Sequence, residues 1–171
     1  MHKLCNAFSK GKIHIINMFY SFFMIIIRNA EIDDAEQIAK NNVLLAKESE
    51  NANVEYETTL KGVKEVLKDK NKGFYLVAEK NNKIIGQLLV TYEWSDWRDK
   101  QIWWLQSIYV KPSERRKGVM RKMIDKVLDE AKKRKICALR LYVHKNNVNA
   151  IKAYEKIGME KKPYNIYQLL L

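Results

Sequence analysis

The chain reads as an α/β (α+β) protein: a mixed, mostly antiparallel central sheet with helices on both faces and one parallel strand–helix–strand unit. Three observations predict this. The elements run strand, two helices, three strands in a meander, helix, strand, helix, strand. A basic amphipathic helix lies between two apolar strands, and a crossover of that kind makes its flanking strands parallel. The 171 residues, 47% of them hydrophobic, suffice for one ordinary core.

The elements follow in order. "MIIIRNA", residues 24–30, is a short apolar strand, after which Asp33 caps a helix from Asp34 to Lys47 whose Ile38, Val43, Leu44 and Leu45 share a face. A polar loop, "ESENANVEYE", leads to a second helix capped by Thr58 or Thr59. Its Leu60, Val63, Val66 and Leu67 recur at helical spacing, and Asn71-Lys72-Gly73 ends it. "FYLVAEK", the turn "NNK" and "IIGQLLVTYEW" form a hairpin; the loop "SDWRDK" then feeds a third strand, "QIWWLQSIYV". Pro112 cannot donate to a ladder and stops that strand. Val119, Met120, Met123, Ile124, Val127, Leu128 and Ala131 make the apolar face of the next helix. "CALRLYV" is a buried strand, "NNVNAIKAYEKIG" a helix closed by Gly158, and "PYNIYQLLL" a last strand that offers a homodimer contact.

The formal charge is +12, from 32 Lys and Arg against 20 Asp and Glu, so the surface attracts an anion. The cations concentrate between Lys111 and Lys135, while Glu31 to Glu57 is acid-rich. Cys5 and Cys137 form neither a Cys-x-x-Cys pair nor a His/Cys cluster, so no metal site and no disulfide framework is indicated; a reducing, cytoplasmic setting is the expectation. Residues 13–27, "IHIINMFYSFFMIII", are interrupted by Asn17 and Ser21 and too short to span a bilayer, and no Ala-x-Ala site follows. Residues 1–23 are therefore read as a leader outside the fold and 24–171 as a single domain, with Met24 a second start codon candidate. A membrane-surface anchor is the alternative for the leader, and no stable membrane insertion is expected.

"ERRKGVMRKM", residues 114–123, places cations around one glycine at a helix start. The first N–H groups of a helix point outward unpaired and carry partial positive charge. A diphosphate can reach them only where the loop lacks a bulky β-carbon, and Gly118 supplies that gap. Arg115, Arg116, Lys117 and Arg121 add charge and guanidinium forks suited to phosphate. The blander reading, a solvated basic face beside an ordinary glycine, is weakened by the setting inside a strand–helix–strand unit.

"IYVKPSERRKGVMRKMIDKVLDEA" resembles the acyl-CoA-binding motif of the GNAT N-acetyltransferase superfamily, Arg/Gln-x-x-Gly-x-Gly/Ala, here Arg115-x-x-Gly118-x-Met120. "LYVHKNNVNAIKAYEKIGM" is similar to the family's second motif, with Asn147, Ala150, Ile151, Tyr154, Glu155, Lys156 and Gly158 at matching intervals. The resemblance covers residues 24–171 and implies acetyl transfer from acetyl-CoA to a primary amine. It implies that Ile108, Tyr109 and Val110 hold the pantetheine and thioester, with the Ile108 N–H as oxyanion donor, a contribution of ~3 kcal/mol. It also implies that residues 115–121, Val119 and Met120 included, hold the diphosphate, that Asn147 contacts the cofactor, and that Tyr154 protonates the leaving thiolate. The third motif position is Met120 rather than Gly or Ala, so its side chain must turn into the core for its N–H alone to face the ligand.

The general base is open at this stage. Many relatives carry a carboxylate on the face shared by residues 104, 106 and 108, and here those are Trp104, Gln106 and Ile108. Gln106 could order a water, Glu93 or Asp96 could act directly, and His144 is a weaker candidate. Trp94, Trp97, Trp103 and Trp104 interleave with Glu93, Asp96 and Asp99, and Glu55 and Glu57 lie in the loop between the first helices. Aromatic faces with carboxylates suit a cationic amine, whether a small molecule or a peptide. Two other classes compete: an acyl-CoA sensor without turnover, and a basic nucleic-acid-binding module. Nucleic acid is not the expected partner, because the cations gather at one helix start and no RNA-recognition or helix-turn-helix signature appears.

Overall fold

A computed structural model describes residues 24–171, so the leader assigned to residues 1–23 lies outside the described residues. The described elements are β1 (Ile26–Asn29), α1 (Ala35–Glu50), α2 (Tyr56–Lys68), β2 (Phe74–Lys80), β3 (Lys83–Ser95), β4 (Lys100–Val110), α3 (Val119–Lys133), β5 (Ala138–Leu141) and α4 (Val148–Lys156). The strands form one sheet in the order β1-β2-β3-β4-β5. The first three pairings are antiparallel and β4–β5 is parallel, as the basic crossover helix requires.

Alternation along the strands divides the core into two layers. Tyr75, Val77, Ile84 and Leu89 pack under α1 and α2 against Ala35, Ile38, Ala39 and Val63. Leu76, Ala78, Leu88, Val90, Trp103 and Leu105 pack on the other face against Val119, Met123, Ile124, Val127 and Ala131 of α3, with Tyr154 and Ile157 of α4 beside them. Gly86 permits that second layer to close: a β-carbon there would stand 3.1 Å from Val119 Cγ1 and 3.1 Å from the Tyr109 carbonyl oxygen. Helix α3 can therefore lie directly on β3.

The helix starts differ from the sequence expectation. A 3-10 turn, Ile32–Asp34, precedes α1, and Asp34 rather than Asp33 is its N-cap residue. Asp34 does not cap with its side chain; its carboxylate takes hydrogen bonds from Arg28 at 2.6 and 3.0 Å. Arg28 also donates to Glu79 at 2.8 Å, tying β1, β2 and α1 together. Helix α2 begins at Tyr56 because Glu55, not Thr58 or Thr59, accepts from the N–H groups of Glu57 and Thr58.

Among the described residues the last strand is absent: residues 163–171 join no ladder there, and Tyr164, Ile166, Tyr167 and Leu169 to Leu171 are exposed. An apolar pattern shows that a segment suits a strand, but a ladder also needs a neighbouring edge of matching length. Here β5 offers only four residues.

Candidate active site

The parallel pair parts where chemistry was expected. Leu105 lies opposite Leu141, the last residue of β5, whereas β4 runs on to Val110. Residues 106–110 therefore have no β5 partner, and a slot opens between the strands. Across from β5, the β3 register slips: Gln87 faces Tyr109 and Leu89 faces Gln106, so β4 carries one extra residue, a bulge at Ser107–Ile108.

The bulge overturns one expectation. Ile108 does not share a face with Trp104 and Gln106; both Ile108 and Val110 pack against the α3-side core, while Trp104 and Gln106 stay on the opposite face. One inserted residue reverses the alternation beyond it. Neither Ser107 nor Ile108 has a β3 partner in register, and neither has one on β5.

At the far end of β4, Pro112–Glu114 form a 3-10 turn and Gly118 is the N-cap of α3, with φ of 79°. That left-handed conformation favours glycine. A β-carbon at Gly118 would meet no protein atom within 4 Å, so the space before the helix is open. The first helical bond runs from the Lys122 N–H to the Gly118 carbonyl at 3.0 Å. The preceding N–H groups thus remain outside the helical ladder, no side chain caps them, and the first turn holds no acidic residue. Val119 is buried and Met120 packs against the core, which leaves their N–H groups as what they can offer a diphosphate.

The surrounding cations divide into engaged and free. Arg115, the first motif residue, is not a free phosphate ligand: its Nε donates to the Val110 carbonyl at 2.8 Å, its NH2 group to Glu48 at 2.5 Å, and it lies 5.7 Å from the Tyr109 ring centroid. Lys117 pairs with Glu114 at 3.3 Å and Arg121 with Asp125 at 2.8 Å, both at the surface where such pairs open readily. Arg116 is exposed, with φ of 64°.

On the other wall, Asn147 caps α4 by accepting from the Ala150 N–H at 3.2 Å. Its side-chain oxygen is thereby engaged within the protein. His144, exposed, accepts from the Asn146 N–H at 3.3 Å in the same turn. Tyr154 sits two turns beyond Asn147, packed against the α3-side core, and burial pushes its phenol up to about 12.

Of the base candidates, Glu93 is committed elsewhere. Arg140 NH1 donates to its two oxygens at 2.8 and 3.1 Å, and the Trp104 indole N–H donates to it at 2.5 Å. Its bond to the Trp104 indole ties Glu93 to a residue four positions before Ile108 on β4. Asp96 accepts from the Trp97 N–H at 2.9 Å at the hairpin tip. Gln106, exposed, donates to Thr91 Oγ1 at 2.6 Å and immediately precedes the bulge.

Arg140 and Tyr142 were missed by sequence reasoning. Tyr142 stacks on Trp104 at 4.4 Å and Arg140 lies over the same indole at 5.7 Å, so Glu93, Arg140, Trp104 and Tyr142 form one aromatic and charged floor. A lone arginine inside the apolar run "CALRLYV" was the available signal. Trp103, by contrast, leaves the proposed acceptor pocket: it is fully buried among Phe74 and Tyr92. Glu55 is occupied as the α2 cap, and hydrogen bonds from Thr58 and Glu57 hold its carboxyl below the ordinary range.

A parallel pair that parts beside a glycine-capped helix start is the arrangement that the motif at Arg115–Met120 announced. The chain belongs to the Acetyltransferase (GNAT) family, whose sequence model matches residues 35–159. It is 31% identical over 98 residues to an uncharacterized N-acetyltransferase of Methanocaldococcus jannaschii, an alignment covering 57% of this chain and 43% of that protein. It is 34% identical over 77 residues to the thialysine N-epsilon-acetyltransferase of Bos taurus, 45% of each chain. This chain thus spans less than half the length of those two relatives. Among solved structures, a possible acetyltransferase from Clostridium difficile 630 superposes with a TM-score of 0.80 at 40% identity, covering 86% of this chain and 98% of the other. A predicted acetyltransferase with acetyl-CoA from Clostridium acetobutylicum shares the fold, with a TM-score of 0.71 at 21% identity over 85% and 96% of the two chains. No helix among the described residues is long and apolar enough to cross a membrane, and no cluster of metal-ligating side chains occurs among them.

Proposed function

We propose that the protein transfers an acetyl group from acetyl-CoA to the nitrogen of a primary amine by direct attack on the thioester. The observation that carries this is the slot between β4 and β5, which runs from the bulge at Ile108 to the open N-terminus of α3 at Gly118. The residues fit the cofactor: a β-carbon at Gly118 would project into the space the diphosphate needs, and Met120 has turned its side chain away.

The chain's groups take the following parts. The N–H groups at the start of α3 hold the diphosphate, with Arg116, Lys117 and Arg121 adding charge. The Ile108 N–H receives the thioester oxygen as negative charge develops on it. As the amine nitrogen bonds to the acetyl carbon and the carbon–sulfur bond breaks, Tyr154 donates toward the sulfur. A phenol near 12 facing a thiol near 8.5 makes complete transfer uphill by roughly 5 kcal/mol. The phenol therefore acts as a hydrogen-bond donor to the thiolate, and solvent completes the protonation. With no unengaged carboxylate on this face of β4, a water ordered by Gln106 removes the ammonium proton. The floor of Trp104, Tyr142, Arg140 and Glu93 receives the body of the acceptor, and the thialysine enzyme among the relatives supports an alkyl amine.

Free thiol release from acetyl-CoA across a panel of polyamines, amino acids, aminoglycosides and peptides tests this, with calorimetric titration of acetyl-CoA alongside. Amine-dependent release is the expected result. Tight binding without release for any amine would leave a sensor, and no binding would remove the reading.

A further inference from the structure

Leu139 and Leu141 of β5 turn to the α3-side core, so Arg140 between them faces the other way. In the parallel register it stands beside Trp104, and it is the last β5 side chain on that face before the strands part beyond Leu105 and Leu141. The mouth of the slot therefore has a guanidinium at its edge.

The bonds of that guanidinium are one-sided. NH1 donates to Glu93 Oε1 at 2.8 Å and to Glu93 Oε2 at 3.1 Å, whereas Nε and NH2 donate to no group among the described residues. Glu93 turns both oxygens to donors already in place, because Oε2 also accepts from the Trp104 indole N–H. What the cluster has left to offer is donor capacity, arranged in the plane of one fork. The fork is held where it is: Glu93 fixes one end, and its central carbon lies 5.7 Å from the Trp104 ring centroid. Tyr142 stacks on the same indole at 4.4 Å, which extends the platform. The Arg140 side chain is 40% exposed, so an incoming group can reach the idle edge.

On an open surface such an edge simply meets water. Here it borders an aromatic platform beside the place where an acceptor must lie, and two parallel N–H donors match the oxygens of a carboxylate. A second ammonium group finds no equivalent partner, since the Glu93 oxygens are already taken by Arg140 and Trp104. Ile108 lies four positions beyond Trp104 on β4, further than an α-amino group stands from its own carboxylate.

We propose that Arg140 is a specificity-determining residue that receives the carboxylate of the acceptor. The substrate is then an aminoalkyl carboxylate, an amino acid among them, whose distal amine enters the slot between β4 and β5. This rests on the acetyl-transfer reading above. Glu93 orients the guanidinium from behind, and Trp104 with Tyr142 supports the alkyl chain between the two ends.

The experiment compares 6-aminohexanoate with 6-aminohexanamide, which has the same length and amine but no charge at the far end. The natural protein should show kcat/KM at least about tenfold higher for the carboxylate. In Arg140→Gln the two values should come within about twofold of each other, through loss on the carboxylate alone. A structural role would lower both acceptors equally and leave the ratio where it was. A ratio near one in the natural protein, transfer to neither compound while another amine reacts, or an unchanged ratio in the variant would overturn the proposal. Calorimetric titration with 6-acetamidohexanoate and its amide decides without turnover: the natural protein should bind the carboxylate at least about tenfold more tightly, and Arg140→Gln should not. Equal affinities, or binding of neither, count against the role. Absence of acetyl transfer to any amine would strike the functional reading, while that titration would still decide whether Arg140 receives a carboxylate.

Discussion

Arg115 and Glu48 meet at 2.5 Å across the gap between the loop before α3 and the last turn of α1. The same guanidinium holds the Val110 carbonyl and lies over Tyr109, so it braces the end of β4 from three sides. The ion pair itself is nearly half exposed and contributes at most about 1 kcal/mol. Glu48→Gln should therefore lower unfolding free energy by under about 1 kcal/mol, and Arg115→Ala by roughly twice as much because it also frees the carbonyl and the ring. Urea denaturation of both variants checks this; equal losses would show that the ion pair is the whole of the contact.

Gly118 separates conformational from ligand effects. Since a β-carbon there touches no protein atom, Gly118→Val costs stability only through its left-handed φ, about 1–2 kcal/mol. Acetyl-CoA affinity should fall at least tenfold, because the branched side chain occupies the approach to the α3 N–H groups. Gly118→Asn, which tolerates the conformation, should lose less stability than Val. Calorimetric affinities matching the natural protein in the Val variant would place the diphosphate elsewhere.

Tyr154, with its phenol pushed up to about 12 by burial, stays neutral throughout the accessible alkaline range. The acidic form is the working form, so kcat should show no decline from phenol ionisation up to pH 10. Tyr154→Phe should lower kcat about 10²-fold, with acetyl-CoA affinity nearly preserved. A kcat that falls through pH 9 in the natural protein but not in the Phe variant would mean that the phenol ionises far earlier.

Glu93 is expected to be a brace. Glu93→Gln keeps an acceptor for Trp104 and Arg140, so kcat should remain within about threefold, whereas removal of a general base costs 10²–10⁴-fold. A loss of that larger size in steady-state assays, with folding intact by circular dichroism, would restore it as the base.

Asp34 supplies an acid-sensitive clasp. Burial pushes its carboxyl up, but hydrogen bonds from Arg28 and the Glu31 N–H outweigh this and hold it below the ordinary value of 3.8. The folded state thus binds this proton more weakly than the unfolded state. Its stabilisation is complete above the unfolded pKa and is lost as pH falls through the folded one. Asp34→Asn should reduce stability at neutral pH and flatten the decline below about pH 4, read by denaturant midpoints against pH. An identical acid limb in the variant would assign that limb to other carboxylates.

The sequence by itself determined the order of elements from β1 to α4, the parallel crossover and the glycine at the start of α3. Each depends on local facts: apolar period, a proline stop, a glycine at a helix start. Met120 turning inward was legible for the same reason, since the helical period puts it beside Val119 and Met123 on the core face. What only the tertiary structure decided were facts about partners. Glu93 looks like a base until Arg140, far along the chain, neutralises it; Glu55 looks like an acceptor ligand until it caps α2; Trp103 and Trp104 differ only in which face they take. The bulge at Ser107 reversed the strand's alternation through a register slip against β3, which belongs to the pairing of two strands. The tail 163–171 has a strand's pattern but finds no edge, because pairing belongs to two segments and a pattern describes one.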